Sequence, residues 1–194
     1  ALDVQDENII LAGGTSVGMF RSTDAGQSWT MTTDPGQLHN VTCVAQDTRV
    51  GHEDTWYFGS GELTGNSASG GGAYYGGNGI YKSVDGGLSW DSLSVTASNT
   101  PQTTSGSQFK FIWNIKTDPS NDSLDVVYAA VYSAIYRSEN GGNSWTKVLG
   151  GSNVAYYTNV EVTSTGVVYA TLSSDGTDKG IWRSLDGQNW TNIT

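Results

Sequence analysis

Short runs of alternating apolar and polar residues recur along the whole chain, as in Val41-Thr42-Cys43-Val44-Ala45. The runs are rich in β-branched and aromatic residues and are bounded by Gly, Asp, Asn and Pro, which is the pattern of half-buried strands ended by turns. Strands are expected at 1–4 and 9–12, 40–46 and 55–59, 109–117 and 125–132, and 156–163 and 166–172. No stretch carries the 3.6-residue periodicity of an amphipathic helix. The pattern predicts an all-β protein.

The chain also repeats itself. Met19-Phe-Arg-Ser-Thr-Asp-Ala-Gly-Gln-Ser-Trp29 is echoed by Ile80-Tyr-Lys-Ser-Val-Asp-Gly-Gly-Leu-Ser-Trp90 and by Ile135-Tyr-Arg-Ser-Glu-Asn-Gly-Gly-Asn-Ser-Trp145. A fourth copy, one residue shorter, runs Ile181-Trp-Arg-Ser-Leu-Asp-Gly-Gln-Asn-Trp190. Each copy reads as a strand entering a tight turn. The acid or amide (Asp24, Asp85, Asn140, Asp186) can accept hydrogen bonds from turn amides, and Ser22, Ser83, Ser138 and Ser184 can add a second local bond. Gly26, Gly87 and Gly142 supply the positive φ a hairpin turn needs, and Trp29, Trp90, Trp145 and Trp190 are expected to open the next strand and cover the turn. Four equivalent acids argue for scaffold, because an active site needs one constellation. With the earlier strands, each repeat holds four strands with the motif between the third and fourth. Repeated four-stranded sheets are the signature of a β-propeller. The blades fall at about 1–34, 40–95, 108–149 and 154–194, within a single propeller segment, 1–194.

The shared Ser-x-Asp-x-Gly-x-Ser-Trp core resembles the Asp-box, or bacterial neuraminidase repeat, found in sialidases, xyloglucanases, sortilin-type receptors and photosystem II assembly factors. The wider phrasing is similar to the large secreted Asp-box proteins of Bacteroidetes labelled glycosyl hydrolase. It includes Leu11-Ala-Gly-Gly, Trp56-Tyr-Phe-Gly-Ser-Gly-Glu62, Tyr75-Gly-Gly-Asn-Gly-Ile-Tyr-Lys-Ser83 and Ala170-Thr-Leu-Ser-Ser-Asp175. The resemblance implies a propeller that hosts many activities. Members are much longer, so four blades are expected to be part of a larger ring. Apolar blade faces left open would then drive self-association.

Composition narrows the chemistry. The 194 residues carry 9 basic and 19 acidic side chains, a net charge of −10, which opposes the grip on phosphates that nucleic acid requires. The longest apolar stretches, such as Val126 to Val131, are too short to span a membrane as a helix. The single cysteine, Cys43, excludes an intrachain disulfide and reads as a small buried hydrophobe. The chain opens inside an expected strand without Met, which points to a removed signal peptide or a longer parent. High acidity with many Ser, Thr, Asn, Gly and aromatic residues fits a secreted or cell-surface bacterial protein.

Strand alternation puts the motif turns at one end of the blades and the long loops at the other. Among these, Glu62 to Asn78 is the richest. Its six glycines let backbone approach a ligand, and Tyr74 and Tyr75 can stack on a sugar ring beside Asn66 and Asn78. Asp175 lies in a loop at the same end. These are the candidate carbohydrate-binding residues, and a surface protein is the other candidate partner. Glu62 is a weak catalytic candidate, since glycoside hydrolysis needs two facing carboxyls and Asp175 or Asp178 would have to supply the second. A sialidase-type site is disfavoured: Arg21, Arg137 and Arg183 all sit in the repeat, leaving Arg49. His39 and His52 stand apart, so no metal or other cofactor is expected, beyond adventitious Ca²⁺ at the acidic turn 118–125. The expected function is a binding or display module. The alternatives are a glycoside hydrolase completed by further blades and a structural spacer.

Overall fold

The computed structural model describes residues 1–37, 40–63, 75–97, 108–151, 157–173 and 177–194. Fifteen strands among them form four antiparallel meanders. Blade 1 holds β1 (Ile10–Gly14), β2 (Gly18–Ser22) and β3 (Thr30–Met31). Blade 2 holds β4 (Val41–Gln46), β5 (Trp56–Ser60), β6 (Ile80–Ser83) and β7 (Asp91–Ser92). Blade 3 holds β8 (Ile112–Thr117), β9 (Val127–Val131), β10 (Ala134–Ser138) and β11 (Thr146–Gly150). Blade 4 holds β12 (Tyr157–Val162), β13 (Val168–Ser173), β14 (Gly180–Ser184) and β15 (Trp190–Asn192). Each strand pairs with its sequence neighbour, as in propeller blades.

Two expected strands are cut short. At the start of the chain Leu2 makes a single antiparallel bridge to Ile10, after which the Asp3 carboxylate accepts the amides of Gln5 and Asp6 and turns the chain away. At 109–117 the first residues form a 3₁₀ turn, Gln108–Lys110, and pairing begins only at Ile112. The Lys110 carbonyl is instead used by the Gly77 amide, which draws this segment off the sheet.

The chain divides into two compact units, 1–112 and 113–194, each with its own apolar core. In the first, Leu11 and Met19 of blade 1 pack with Trp56, Phe58, Tyr81 and Trp90 of blade 2. Phe58 stacks on Tyr81 at 4.6 Å and meets Trp90 edge-on at 4.8 Å. In the second, Tyr128, Ala130 and Ile135 of blade 3 pack with Val160, Val168 and Ala170 of blade 4. The period-2 pattern does this directly: β13 buries Val168, Ala170 and Leu172 and exposes Tyr169, Thr171 and Ser173. Cys43 is half-buried rather than fully buried. Its strand neighbour Gly59 leaves the sulfur room, for a Cβ at 59 would stand 2.7 Å from Sγ.

Candidate functional site

The four repeat turns share one network. In blade 1 the Ser22 hydroxyl donates to Asp24 (2.7 Å) and accepts the Gly26 amide (2.9 Å), while Asp24 takes the amide and hydroxyl of Ser28 at 2.9 and 2.6 Å. Blade 2 repeats these bonds with Ser83, Asp85, Gly87 and Ser89. In blade 3 Asn140 keeps the same geometry, its oxygen taking the Ser144 amide and its NH₂ donating to the Ser144 hydroxyl. In the shorter fourth turn Asn189 replaces the serine as donor to Asp186. Hydrogen bonds from Ser28 hold the Asp24 carboxyl near pKa 2, below its ordinary 3.8, and those from Asn189 pull Asp186 down as well. For Asp85 partial burial pushes the pKa up, and bonds from Ser83 and Ser89 outweigh it.

Gly26, Gly87 and Gly142 have φ of +86°, +80° and +95°. The residue before each is also left-handed: Gly86, Gly141 and, without the freedom of glycine, Ala25 at +57°. Trp29, Trp90 and Trp145 stand one residue ahead of their strands, and only Trp190 lies within one. Trp29 and Trp145 close over their own turns, donating Nε1–H to the carbonyls of Gly26 and Gly142. Trp90 reaches across to the Thr32 hydroxyl of blade 1.

Of the predicted ligand residues, Asn66, Tyr74 and Asp175 lie outside the described residues. Glu62 and Tyr75 come together as an antiparallel bridge, with amide-to-carbonyl bonds of 2.8 and 2.9 Å. Tyr75 keeps about half its surface exposed, and Glu62 Oε2 is buried with no hydrogen-bond partner among the described residues. The Asn78 amide donates to Ser60 Oγ (2.9 Å). Buried Asn40 donates to the Gly76 carbonyl at 3.1 Å. The described glycines here serve chain packing: a Cβ on Gly61 would lie 1.8 Å from the Lys110 carbonyl oxygen, and one on Gly77 would lie 2.4 Å from the Ser60 backbone. Arg49, the arginine outside the repeat, is buried in a two-pronged ion pair with Asp47, its Nε at 2.9 Å and its terminal nitrogen at 2.5 Å. At 118–125 the side-chain oxygens of Asp118 and Asn121 accept amides from Ser120, Ser123 and Leu124, closing the turn between β8 and β9.

A second group escaped sequence reasoning. Trp113, near the start of β8, and Tyr157, which opens β12, hold their rings 5.0 Å apart at a 47° tilt. Next to them Asn114 donates to Asn159 Oδ1 at 2.6 Å, and further along Lys116 pairs with Glu161 at 3.0 Å. The first strands of blades 3 and 4 thus present an aromatic pair, an amide pair and an ion pair in sequence. The aromatic pair lies at the end of blade 4 where β13 runs into its long loop, since Tyr157 pairs with Ser173, the last residue of that strand. The available signal was an aromatic residue at the head of the first strand in two consecutive repeats.

No family model matches the chain. A xyloglucanase from Paenibacillus sp is 26% identical over 227 aligned residues, covering 98% of this chain and 20% of the relative. Among solved structures, an ancestral GH74 enzyme superposes with a TM-score of 0.72 at 21% identity, over 100% of this chain and 25% of its own. YCF48 bound to D1 peptide superposes with a TM-score of 0.56 at 16% identity, over 96% of this chain and 51% of its own. At these identities the structural likeness is one of fold, the β-propeller. The chain spans about a fifth of the curated relative it matches. Among the described residues no helix is long and apolar enough to cross a membrane.

Proposed function

We propose that this chain is a carbohydrate-binding stretch of a secreted β-propeller with Asp-box turns, and that it takes a glucan chain at the Trp113–Tyr157 end of β8 and β12. One observation carries the reading: two tilted rings, one of them half-exposed, stand beside a pair of side-chain amides. The apolar C–H face of a pyranose packs on an aromatic ring; Asn114 spends its NH₂ on Asn159 Oδ1 and the Val160 carbonyl, which fixes Asn159 with its own NH₂ available to donate to a sugar hydroxyl. The xyloglucanase relative supports the ligand class. A second reading, a glycoside hydrolase completed by further blades, is favoured by Glu62, whose buried Oε2 has no hydrogen-bond partner among the described residues and could supply one of the two carboxyls such a site needs.

Titration calorimetry with xyloglucan oligosaccharides tests both. The native chain should bind, and Tyr157→Ala should weaken binding about tenfold (roughly 1.4 kcal/mol) with an unchanged melting temperature. Glu62→Gln should leave binding intact and abolish any hydrolysis. Absence of binding to xyloglucan and other β-glucans, or equal affinity of the Tyr157 variant, overturns the binding site.

A further inference from the structure

One repeat turn departs from its sisters, and a cavity opens beside it. In blades 1 and 2 the turn acid takes a serine hydroxyl, Ser28 donating to Asp24 and Ser89 to Asp85 at 2.6 Å each. In blade 3 the acid is replaced by Asn140. Its side-chain oxygen is held by the Ser138 hydroxyl and the Ser144 amide, so its NH₂ faces the Ser144 hydroxyl and donates to it at 2.9 Å. The direction of that bond is therefore reversed. A carboxylate charge is lost from the turn, and the Ser144 proton is left for another acceptor.

The cavity, of about 370 Å³, lies between this turn, β11 and the repeat turn of blade 4. Arg137 and Lys147 bring two positive charges to its wall and Glu139 one negative. The Arg137 side chain is only 10% exposed. It is fixed through Nε to the Tyr128 hydroxyl at 3.1 Å and through one terminal nitrogen to Glu139. Among the described residues its other terminal nitrogen and the Lys147 ammonium have no acceptor. Ser144, Thr146 and Gln188 add hydroxyl and amide groups. The turn itself does not demand this set. Arg21 lies opposite Thr30 as Arg137 lies opposite Thr146, yet the positions of Glu139, Lys147 and Gln188 are held there by Thr23, Met31 and Leu88. Arg21 instead spends its Nε on the Gly86 carbonyl.

We propose that this cavity takes the carboxylate of a uronic acid carried on a neutral oligosaccharide. A guanidinium edge and an ammonium are charge-assisted donors to a carboxylate. The surrounding hydroxyl and amide groups suit the hydroxyls of the ring, and the volume is that of a small-ligand site. Asn140 spares the ligand the repulsion that an aspartate would exert there. The net charge of −10 repels an acidic polypeptide more than a sugar chain with one acid. The site shares no residue with the Trp113–Tyr157 site and does not depend on it.

Titration calorimetry with methylglucuronosyl-xylotriose and its neutral twin, xylotriose, tests the site. The native chain should bind the acidic sugar about tenfold more tightly than the neutral one. Asn140→Asp restores the turn of blades 1 and 2, and Lys147→Met installs the residue that blade 1 has, so both should melt near the native temperature. Each should cut the advantage of the acidic sugar by about threefold or more. Equal or absent binding of the two sugars, an advantage unchanged in either variant, or tighter binding of hexaglutamate overturns the site.

Discussion

At the scale of single residues, the turn acids spend their oxygens on their own loop. Both oxygens of Asp24 accept bonds from Ser22 and Ser28. Because these bonds favour the ionised form, Asp24 has a lowered folded pKa, and its stabilisation is present above the unfolded value and lost as pH falls through the folded one. The window therefore runs from about 3.8 down to about 2. Asn140 shows that an amide fits the same turn. Asp24→Asn should thus preserve the fold at neutral pH and flatten the acid limb of stability between those values, read as melting temperature against pH. Ala25 carries a left-handed φ of +57° where two sister turns have glycine. Ala25→Gly should raise stability by up to about 1 kcal/mol in urea unfolding, relief of the left-handed cost exceeding the added chain entropy.

At the scale of elements, the buried strands leave little slack. Within β5 a Cβ on Gly59 would come 2.6 Å from Ile112 and 2.7 Å from Cys43. Gly59→Ala should cost about 1–3 kcal/mol by overpacking, seen as a lower denaturation midpoint with an unchanged slope. Between β4 and β5 the Asp47–Arg49 pair is buried on both sides. Asp47→Ala removes the two-pronged acceptor of a buried guanidinium, so it should cost about 1.5–3 kcal/mol in the same measurement.

At the scale of the whole molecule, charge opposes assembly. Each copy carries a net charge of −10, and the repulsion between copies is screened over about 8 Å at physiological salt. Any self-association should therefore strengthen as salt rises from about 10 to 300 mM, measured as the weight-average mass by light scattering.

The strand alternation and the four motif copies were enough to read the all-β class and the meander order, because each is set by contacts within a few tens of residues. Period-2 patterning decides which face of a strand is wet, and Gly at a left-handed position decides where it turns. The sequence could not show that Trp113 meets Tyr157, since they lie 44 positions apart and meet only where two first strands run side by side. Nor could it separate Tyr128 from Tyr169, which share one local motif, Val-Val-Tyr-Ala, yet differ in exposure. Local chemistry is identical at the two sites. Only the packing of a neighbouring blade, a long-range event, buries one and leaves the other open.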